Sequence, residues 1–168
     1  MPEAGPRLNL AIISDTHLPR GRRRLPDACV ERLRAADLIL HAGDFTAASV
    51  LDELRALAPV EAVHGNQDDA ALRSSLPEQH VVEVDGVRIG LVHDAGRREG
   101  RHERLAAAFP GCDAVAYGHS HIPELARHGE VWILNPGSPT ERRRAHHRTL
   151  VAIEVERGEL RPRLVTVG

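Results

Sequence analysis

Five short apolar segments of the sequence each run into a cluster of aspartate, histidine or asparagine. The segments end at Ser14-Asp15-Thr16-His17, His41-Ala42-Gly43-Asp44, Val63-His64-Gly65-Asn66-Gln67-Asp68, Leu91-Val92-His93-Asp94 and Tyr117-Gly118-His119-Ser120-His121. Short apolar runs bounded by turn residues are typical of buried strands. Because ligands in α/β sheets lie beyond the carboxyl ends of the parallel strands, we expect these polar side chains to share one neighbourhood.

The first half of the chain predicts a parallel α/β unit. Its three predicted strands are Leu8–Ser14, Leu38–His41 and Val60–His64. A helix that begins at Pro26 and Asp27 separates the first two strands, and a helix capped by Thr46 and stopped by Pro59 separates the next two. This βαβαβ order favours parallel strands joined by right-handed crossovers.

The second half changes to hairpins. Asp85-Gly86 separates two apolar runs, which is a strong short-range signal for a hairpin, and Gly129 and Gly158 mark two more. A helix with Leu105 on its apolar face lies between the first hairpin and a further short strand. The sequence therefore predicts one α/β domain over residues 1–168, with two sheets face to face and helices outside.

Composition excludes several classes of function. Aromatic residues make up 2% of the 168 residues and the formal net charge is -2, which disfavours a nucleic-acid-binding protein. No segment approaches the length of a membrane span, and no signal peptide is predicted.

The two cysteines, Cys29 and Cys112, form no CxxC motif, so they predict neither a thiolate zinc site nor a disulfide framework. Free thiols favour a cytoplasmic location.

The polar strand ends have the chemistry of a metal site. Imidazole and carboxylate together suit Mn, Fe, Co, Ni or Zn. Residues two apart in an extended segment share a face, so Asp15 and His17 can reach one ion, and the same spacing aims His119 and His121 at one region.

The pattern favours two cations rather than one. A carboxylate that bridges two cations about 3.5–4 Å apart offsets their repulsion, and Asp44, which follows the flexible Gly43, is the predicted bridge. The neutral amide oxygen of Asn66 keeps the site net positive and attractive to phosphate.

At these residues the sequence resembles the calcineurin-like metallophosphoesterase superfamily, and most closely its small single-domain phosphodiesterase branch. The pattern DxH…GD…GNxD…H…GHxH is matched by Asp15/His17, Gly43/Asp44, Gly65/Asn66/Asp68, His93 and Gly118/His119/His121. The resemblance implies a four-layer α/β/β/α sandwich of two mixed sheets. It also implies two divalent cations, with manganese favoured. The ligands that it implies are Asp15, His17, Asp44 and His121 for one cation, and Asp44, Asn66, His93 and His119 for the other.

Two positions depart from the family pattern. Many members carry histidine after the Gly-Asn pair, and the small branch commonly carries cysteine, but this chain has Gln67, which cannot act as a titrating acid. Where the family usually has His-Gly, this chain has His93-Asp94. The local backbone turn can therefore differ from that of the family, and the added carboxylate can lower the affinity for phosphate or adjust a contact behind the ligands.

We expect hydrolysis of a phosphodiester by a hydroxide that bridges the two cations. Asn66, together with His93 or His119, is expected to neutralise the charge that develops on the phosphate, and Asp68 is expected to orient backbone or a histidine rather than bind metal. No general acid is predicted. The alternatives are a phosphomonoesterase that acts on a small metabolite or nucleotide, and a protein-binding scaffold such as the related retromer-coat subunit.

The remaining clusters carry weaker predictions. Within the run Arg20–Arg24, Arg22 and Arg23 are candidates for steering phosphate, whereas Arg142–Arg144 is expected to be mobile surface. His41 and His64 are expected to be structural. The expected partner is a small phosphate ester, and the oligomeric state is left open.

Overall fold

Two five-stranded mixed sheets form the centre of the computed structural model, which describes residues 5–168. The elements in chain order are β1 (Leu8–Ile13), α1 (Asp27–Arg34), β2 (Leu38–His41), α2 (Ala48–Arg55), β3 (Val60–Ala62), α3 (Ala70–Ser75), β4 (Gln79–Val84), β5 (Val87–Val92), α4 (Arg101–Ala108), β6 (Ala114–Ala116), β7 (Glu124–His128), β8 (Val131–Asn135), β9 (Thr149–Glu156) and β10 (Glu159–Thr166).

The first sheet has the strand order β10-β9-β1-β2-β3. Strands β1, β2 and β3 are parallel, and the β9–β10 hairpin pairs antiparallel to β1. Ile13 of β1 pairs with His41 of β2, which in turn pairs with Ala62 of β3. Because these pairs stand at the carboxyl ends of the strands, the residues that follow all three strands emerge at one edge of the sheet.

The second sheet has the order β4-β5-β6-β8-β7. Its central strands β5, β6 and β8 are parallel, and the edge strands β4 and β7 pair antiparallel to their neighbours. Leu91 of β5 pairs with Ala116 of β6. The residues after β5 and β6, among them His93 and His119, therefore leave this sheet side by side.

The apolar faces of the two sheets pack against each other, and helices cover the outer faces. Ile12 and Leu40 of the first sheet belong to the same buried cluster as Ile89 and Leu91 of the second. Helices α1 and α2 cover the outer face of the first sheet, and α4 covers that of the second. This is the four-layer α/β/β/α arrangement that the family resemblance implied, with the two facing sheets that the sequence pattern predicted. None of the helices described for residues 5–168 has the length and apolar character that a membrane crossing requires.

Two local predictions were wrong, and one helix was missed. Thr46 does not cap α2, because its backbone has a φ of 99° and its N–H donates to Asp68 Oδ1 at 2.9 Å; Ala47 precedes the helix. Strand β3 ends at Ala62, before the predicted end at His64. The short helix α3 was not predicted, although Asp69 caps it by accepting a hydrogen bond from the N–H of Leu72 at 2.9 Å.

Candidate metal centre

Two groups of potential metal ligands lie at the shared edge of the two sheets. Within each group, one ligand atom of every residue lies within 4.8 Å of those of the other residues. The first group is Asp15, His17 and His121, and the second is Asp44, His93 and His119. Both sheets contribute to both groups.

Asp44 stands between the two groups. Its Oδ2 atom lies 3.7 Å from His17 Nε2 in the first group and 3.1 Å from His93 Nε2 in the second. The other carboxylate oxygen, Oδ1, accepts a hydrogen bond from the backbone N–H of Gln67 at 2.8 Å. One oxygen of Asp44 is thus anchored to the backbone and the other faces both groups, as a bridging ligand requires.

Asn66 completes the second group. Its side-chain oxygen lies 3.1 Å from His93 Nε2 and 3.2 Å from His119 Nδ1. Asn66 and His119 are exposed, whereas the other five predicted ligands are buried. The structure therefore brings all seven predicted ligands together and leaves the Asn66 side accessible to solvent.

The unpaired atoms of the first group fit a divalent cation. Asp15 Oδ1, His17 Nε2 and His121 Nε2 are buried and have no hydrogen-bond partner among residues 5–168. Asp15 Oδ1 lies 3.6 Å from His17 Nε2 and 3.4 Å from His121 Nε2. A buried polar atom without a partner costs about 1–3 kcal/mol, so three that face one another indicate a missing common partner. One carboxylate oxygen with two imidazole nitrogens is a donor set for a borderline divalent metal.

Backbone carbonyls fix the orientation of two ligand histidines. The Nδ1 atom of His93 lies 2.7 Å from the carbonyl oxygen of Ala42, and the Nδ1 atom of His121 lies 2.7 Å from that of Glu141. A carbonyl oxygen can only accept, so Nδ1–H donates in both pairs. The lone pair of each ring then resides on Nε2, which faces the site.

The two carboxylates of the centre are held in their ionised form. Burial alone would raise the pKa of Asp15, but the neighbouring imidazoles of His121 and His17 lower this pKa far below its usual range. Burial also acts to raise the pKa of Asp44, and His93 outweighs it, so that the pKa is lowered. Ionised carboxylates are the form that binds cations.

Asp68 organises the backbone beneath the second group. Its carboxylate accepts hydrogen bonds from the N–H groups of Asp44 at 3.1 Å, Gly65 at 2.7 Å and Thr46 at 2.9 Å. These three bonds join the loop after β2 to the loop after β3. Asp68 thus positions Asp44 without facing the ligand atoms itself.

The ligand loops use an uncommon backbone conformation. Positive φ angles occur at five of the seven predicted ligands: Asp15 (57°), His17 (46°), Asp44 (63°), His119 (73°) and His121 (62°). Non-glycine residues adopt this left-handed region at a cost, and such residues cluster at functional sites. The left-handed turns aim side chains from the strand ends inwards, towards one another.

The loop after β8 supports the site through contacts that the sequence did not predict. Ser138 Oγ donates to the carbonyl oxygen of Asp15 at 2.8 Å, and Thr140 Oγ1 donates to that of Thr16 at 2.7 Å. The Nδ2 atom of Asn135 donates to the carbonyl oxygen of Gly118 at 3.3 Å. These contacts hold the loop after β8 against the strand ends that carry Asp15 and His119.

Comparison with known proteins identifies the family. The family model for the calcineurin-like phosphoesterase superfamily domain matches residues 8–158 of the sequence. The chain belongs to this superfamily. A probable metallophosphoesterase of Methanothermobacter thermautotrophicus is 38% identical to it over 133 residues, which cover 78% of this chain and 77% of that relative. Membership indicates a phosphoesterase that uses divalent metal ions.

Solved structures share the fold. YfcE, a phosphoesterase from E. coli, superposes with a TM-score of 0.65 at 20% identity, and the match covers 96% of this chain and 100% of YfcE. Vps29 from Entamoeba histolytica, solved in complex with Zn²⁺, gives a TM-score of 0.70 at 24% identity over 96% of this chain and 100% of that one. At these identities the likeness shows the architecture that the superfamily shares.

The two departures from the superfamily pattern lie at the accessible side of the centre. Gln67 is exposed, and its backbone N–H serves Asp44. Asp94 is exposed, and its Oδ1 accepts from the N–H of Gly96 at 2.8 Å, so the carboxylate closes a local turn in place of the usual glycine. Neither side chain forms a hydrogen bond with a predicted ligand side chain among residues 5–168.

Of the remaining residues discussed in the sequence, His41 is part of the buried structure, and Arg22 and Arg23 lie towards the surface. His41 is fully buried; its Nδ1 accepts from the N–H of Gly43 at 3.0 Å, and its Nε2 lies 3.2 Å from Thr16 Oγ1. Arg22 is exposed, and Arg23 Nη1 lies 3.3 Å from Glu141 Oε2. Of the two predicted steering residues, Arg23 therefore lies beside the site and is already paired, whereas the structure gives Arg22 only an exposed position.

Proposed function

We propose that the chain is a phosphodiesterase that works with two divalent cations, with manganese favoured and zinc, nickel, iron or cobalt compatible. One observation carries this proposal: three unpaired buried atoms face one another in the first group, and Asp44 Oδ2 faces both groups. This arrangement matches two adjacent cations that share one carboxylate.

The cytoplasmic location that we propose is supported by two buried free thiols, Cys29 and Cys112.

Cations bound there would lower the pKa of a coordinated water towards about 7 and neutralise charge on the phosphate. The residues of the chain supply placement. Asp15, His17 and His121 hold the buried side, while Asn66 and His119 lie at the solvent side, where a phosphate ester enters. In this proposal the amide of Asn66 and the imidazole of His119 contact the reacting phosphate. Asp68 acts through the backbone of Asp44 and is a positioning residue.

A recess beside the second group offers room for the organic part of a phosphate ester. Its volume is about 330 Å³, and its lining includes Asn66, His93, His64 and Arg73. Small-molecule sites span roughly 300–1,000 Å³, so the recess can take an organic substituent of the phosphate. Arg73 Nη2 donates to the carbonyl oxygen of Asn66 at 2.7 Å and holds the wall of the recess in place.

Because both sheets supply ligands, we propose that residues 1–168 act as one catalytic unit.

The decisive experiment uses metal-depleted protein reconstituted with Mn²⁺, Ni²⁺ or Zn²⁺. Bis(4-nitrophenyl) phosphate and 4-nitrophenyl phosphate are compared as substrates, and bound metal is counted by elemental analysis. We expect two cations per chain and a higher kcat/KM for the diester. A higher kcat/KM for the monoester would favour the phosphomonoesterase. Retained metal without hydrolysis of either substrate would favour a scaffold, the second candidate suggested by the fold shared with Vps29.

The missing general acid gives a second test of the mechanism. Gln67 cannot protonate a leaving oxygen, so activity on aryl methyl phosphodiesters is expected to fall steeply as the pKa of the leaving phenol rises. Gln67→His places a titrating group at this exposed position while its backbone N–H to Asp44 remains. We expect the variant to flatten the dependence on leaving-group pKa. If activity depended equally steeply on leaving-group pKa in both proteins, position 67 would not be the place from which a general acid protonates the leaving oxygen.

A further inference from the structure

Two arginine-rich segments of the chain meet beside the candidate metal centre. Residues 20–24 and 142–148 together contain eight of the 22 arginines and no acidic residue. The formal net charge of the whole chain is only -2, so the positive charge of this surface is local. We refer to these two segments as the arginine rim. A local positive field of this kind raises the concentration of anions at the surface.

The two segments of the arginine rim meet at one carboxylate. Arg23 Nη1 lies 3.3 Å from Glu141 Oε2, and Arg143 Nε lies 4.0 Å from Glu141 Oε1. Each oxygen of Glu141 thus faces an arginine from a different segment. The side chains of Arg23 and Glu141 are 21% and 23% exposed, so the pair is open to solvent and can be exchanged for another anion.

The same residue fixes the rim to the metal centre. The carbonyl oxygen of Glu141 accepts the hydrogen bond from Nδ1 of His121, at 2.7 Å. Arg23 follows the loop that carries His17, the neighbour of His121 in the first group. The Arg23–Glu141–Arg143 cluster therefore borders the first group of ligands, whereas Asn66 belongs to the second.

We propose that Arg23 and Arg143 bind a second, non-reacting phosphate of the substrate, in the place that the Glu141 carboxylate now takes. The inference rests on the proposed function for the reacting phosphate alone. Guanidinium groups match the oxygens of a phosphate with paired hydrogen bonds, and a dianionic phosphate attracts them more strongly than a carboxylate with one charge does. The partly exposed Arg23–Glu141 pair is weak, so a phosphate can displace it.

The proposal predicts a preference that a matched pair of substrates can measure. Thymidine 5′-(4-nitrophenyl phosphate) and its 3′-phosphorylated form carry the same reacting group and differ only by the second phosphate. In both, water adds its oxygen to the 5′ phosphorus, the bond to 4-nitrophenolate breaks, and a proton is released to solvent. We expect the 3′-phosphorylated substrate to have about a tenfold lower KM, as strong charge-assisted hydrogen bonds would give.

Direct binding separates this inference from the proposed function. Isothermal titration with thymidine 3′,5′-bisphosphate and with thymidine 5′-phosphate needs no turnover. Tighter binding of the bisphosphate would uphold the second-phosphate site even if neither nitrophenyl substrate were hydrolysed, a result that would overturn the phosphodiesterase. Equal binding of the two nucleotides would overturn the second-phosphate site even if hydrolysis were fast.

Three variants distinguish recognition from a merely structural ion pair. Arg23→Gln and Arg143→Gln are expected to reduce the preference for the bisphosphate by about three- to tenfold each. Glu141→Gln removes the competing charge but keeps the backbone carbonyl that holds His121, so this variant is expected to increase the preference. The matched control is Arg161→Gln, because Arg161 pairs with Glu159 at 3.6 Å on β10, outside the two segments of the arginine rim.

The Glu141 variant decides between the two explanations. If the ion pair only stabilised the loop, Glu141→Gln and Arg23→Gln would weaken nucleotide binding in the same direction. Opposite changes in the preference, with an unchanged preference in the Arg161 control, would support the second-phosphate site. A change of the same direction in both variants would overturn it.

Discussion

At the scale of single residues, four of the five buried ligands bond to the protein through one polar side-chain atom and keep another for the site: Asp15, Asp44, His93 and His121. Asp15 illustrates the division, because its Oδ2 accepts from Ser14 Oγ at 2.7 Å and from the N–H of His119 at 3.0 Å, whereas Oδ1 is unpaired. His93 and His121 divide their ring nitrogens in the same way. The anchoring contacts therefore decide which atoms are free to bind a cation.

Asp68 tests the importance of such anchoring. Asp68→Asn leaves one accepting oxygen for three N–H donors and turns an amide NH₂ towards the others. We expect cation affinity to fall about 10- to 100-fold and the free energy of unfolding to fall by about 1–3 kcal/mol. Isothermal titration with Mn²⁺ measures the cation affinity, and urea unfolding measures the free energy of unfolding. In the control Asp69→Asn the helix cap is retained, and an equal loss of affinity there would contradict the role of Asp68.

His41 gives a prediction for pH. Burial lowers the pKa of His41 to about 3, against 6.5 for a free histidine, so the ring stays neutral in the folded chain. Between these values the unfolded chain binds one more proton, so this contribution to stability is complete above pH 6.5 and is lost as the pH falls towards 3. At pH 5 the loss is about 2 kcal/mol.

Urea unfolding of metal-depleted protein at pH 7.5 and pH 5 measures this loss. His41→Asn is expected to lose about 2 kcal/mol less than the unaltered chain over the same interval, because it cannot bind the extra proton. The comparison uses the pH dependence within each protein, so a general loss of stability in the variant does not affect it. Equal pH dependence in the two proteins would exclude a neutral His41.

At the scale of elements, the sequence predicted where the strands end but not how the chain turns there. Apolar runs and turn residues located β1, β2 and β5, and parallel pairing then brought their carboxyl ends together. The left-handed turns at Asp15 and Asp44 were not predicted, since aspartate adopts several backbone conformations. The helix α3 was missed because six residues carry too little periodicity, although Asp69 was an available capping signal.

Gly118 connects β6 to the ligand loop and allows a close approach to β1. A methyl group added at Gly118 would lie 2.7 Å from Asp15 Oδ2 and closer still to Ser14 Oγ, so the two strand ends would have to separate. We expect Gly118→Ala to lower Mn²⁺ affinity more than tenfold and to destabilise the fold by about 1–3 kcal/mol. Circular dichroism and titration with Mn²⁺ check the two effects.

The control for Gly118→Ala is the same substitution at a glycine with open space for the added methyl group. Gly129→Ala lies in the β7–β8 hairpin, where the added methyl group meets no atom within 4 Å and the φ of 60° costs about 1–2 kcal/mol of strain. Its Mn²⁺ affinity should match that of the unaltered chain. A similar loss of affinity in both variants would mean that general destabilisation, rather than the approach of β6 to β1, disturbs the site.

At the scale of the whole molecule, the candidate centre joins two sheets whose apolar faces pack against each other. Asp15 and Asp44 belong to loops of the first sheet, and His93 and His121 to loops of the second. The contacts of Ser138 and Thr140 with the β1 loop span 123 and 124 residues of sequence. No local pattern predicts such contacts, so the sequence predicted the ligands but not the segment that supports them.

A centre that joins two sheets should stabilise the whole fold when cations bind. At a cation concentration about 100 times the Kd, binding adds about 2.7 kcal/mol, and each kcal/mol raises the Tm of a chain of this size by about 2–4 °C. We expect Mn²⁺ to raise the Tm of metal-depleted protein by about 5–10 °C and EDTA to reverse the change, as followed by differential scanning calorimetry. Asp44→Asn, which alters the residue facing both groups, should lose most of this increase, whereas the exposed Asp52→Asn on α2 should keep it. If Asp44→Asn kept the full increase, cations would be binding elsewhere, and the two sheets would not be coupled through this centre.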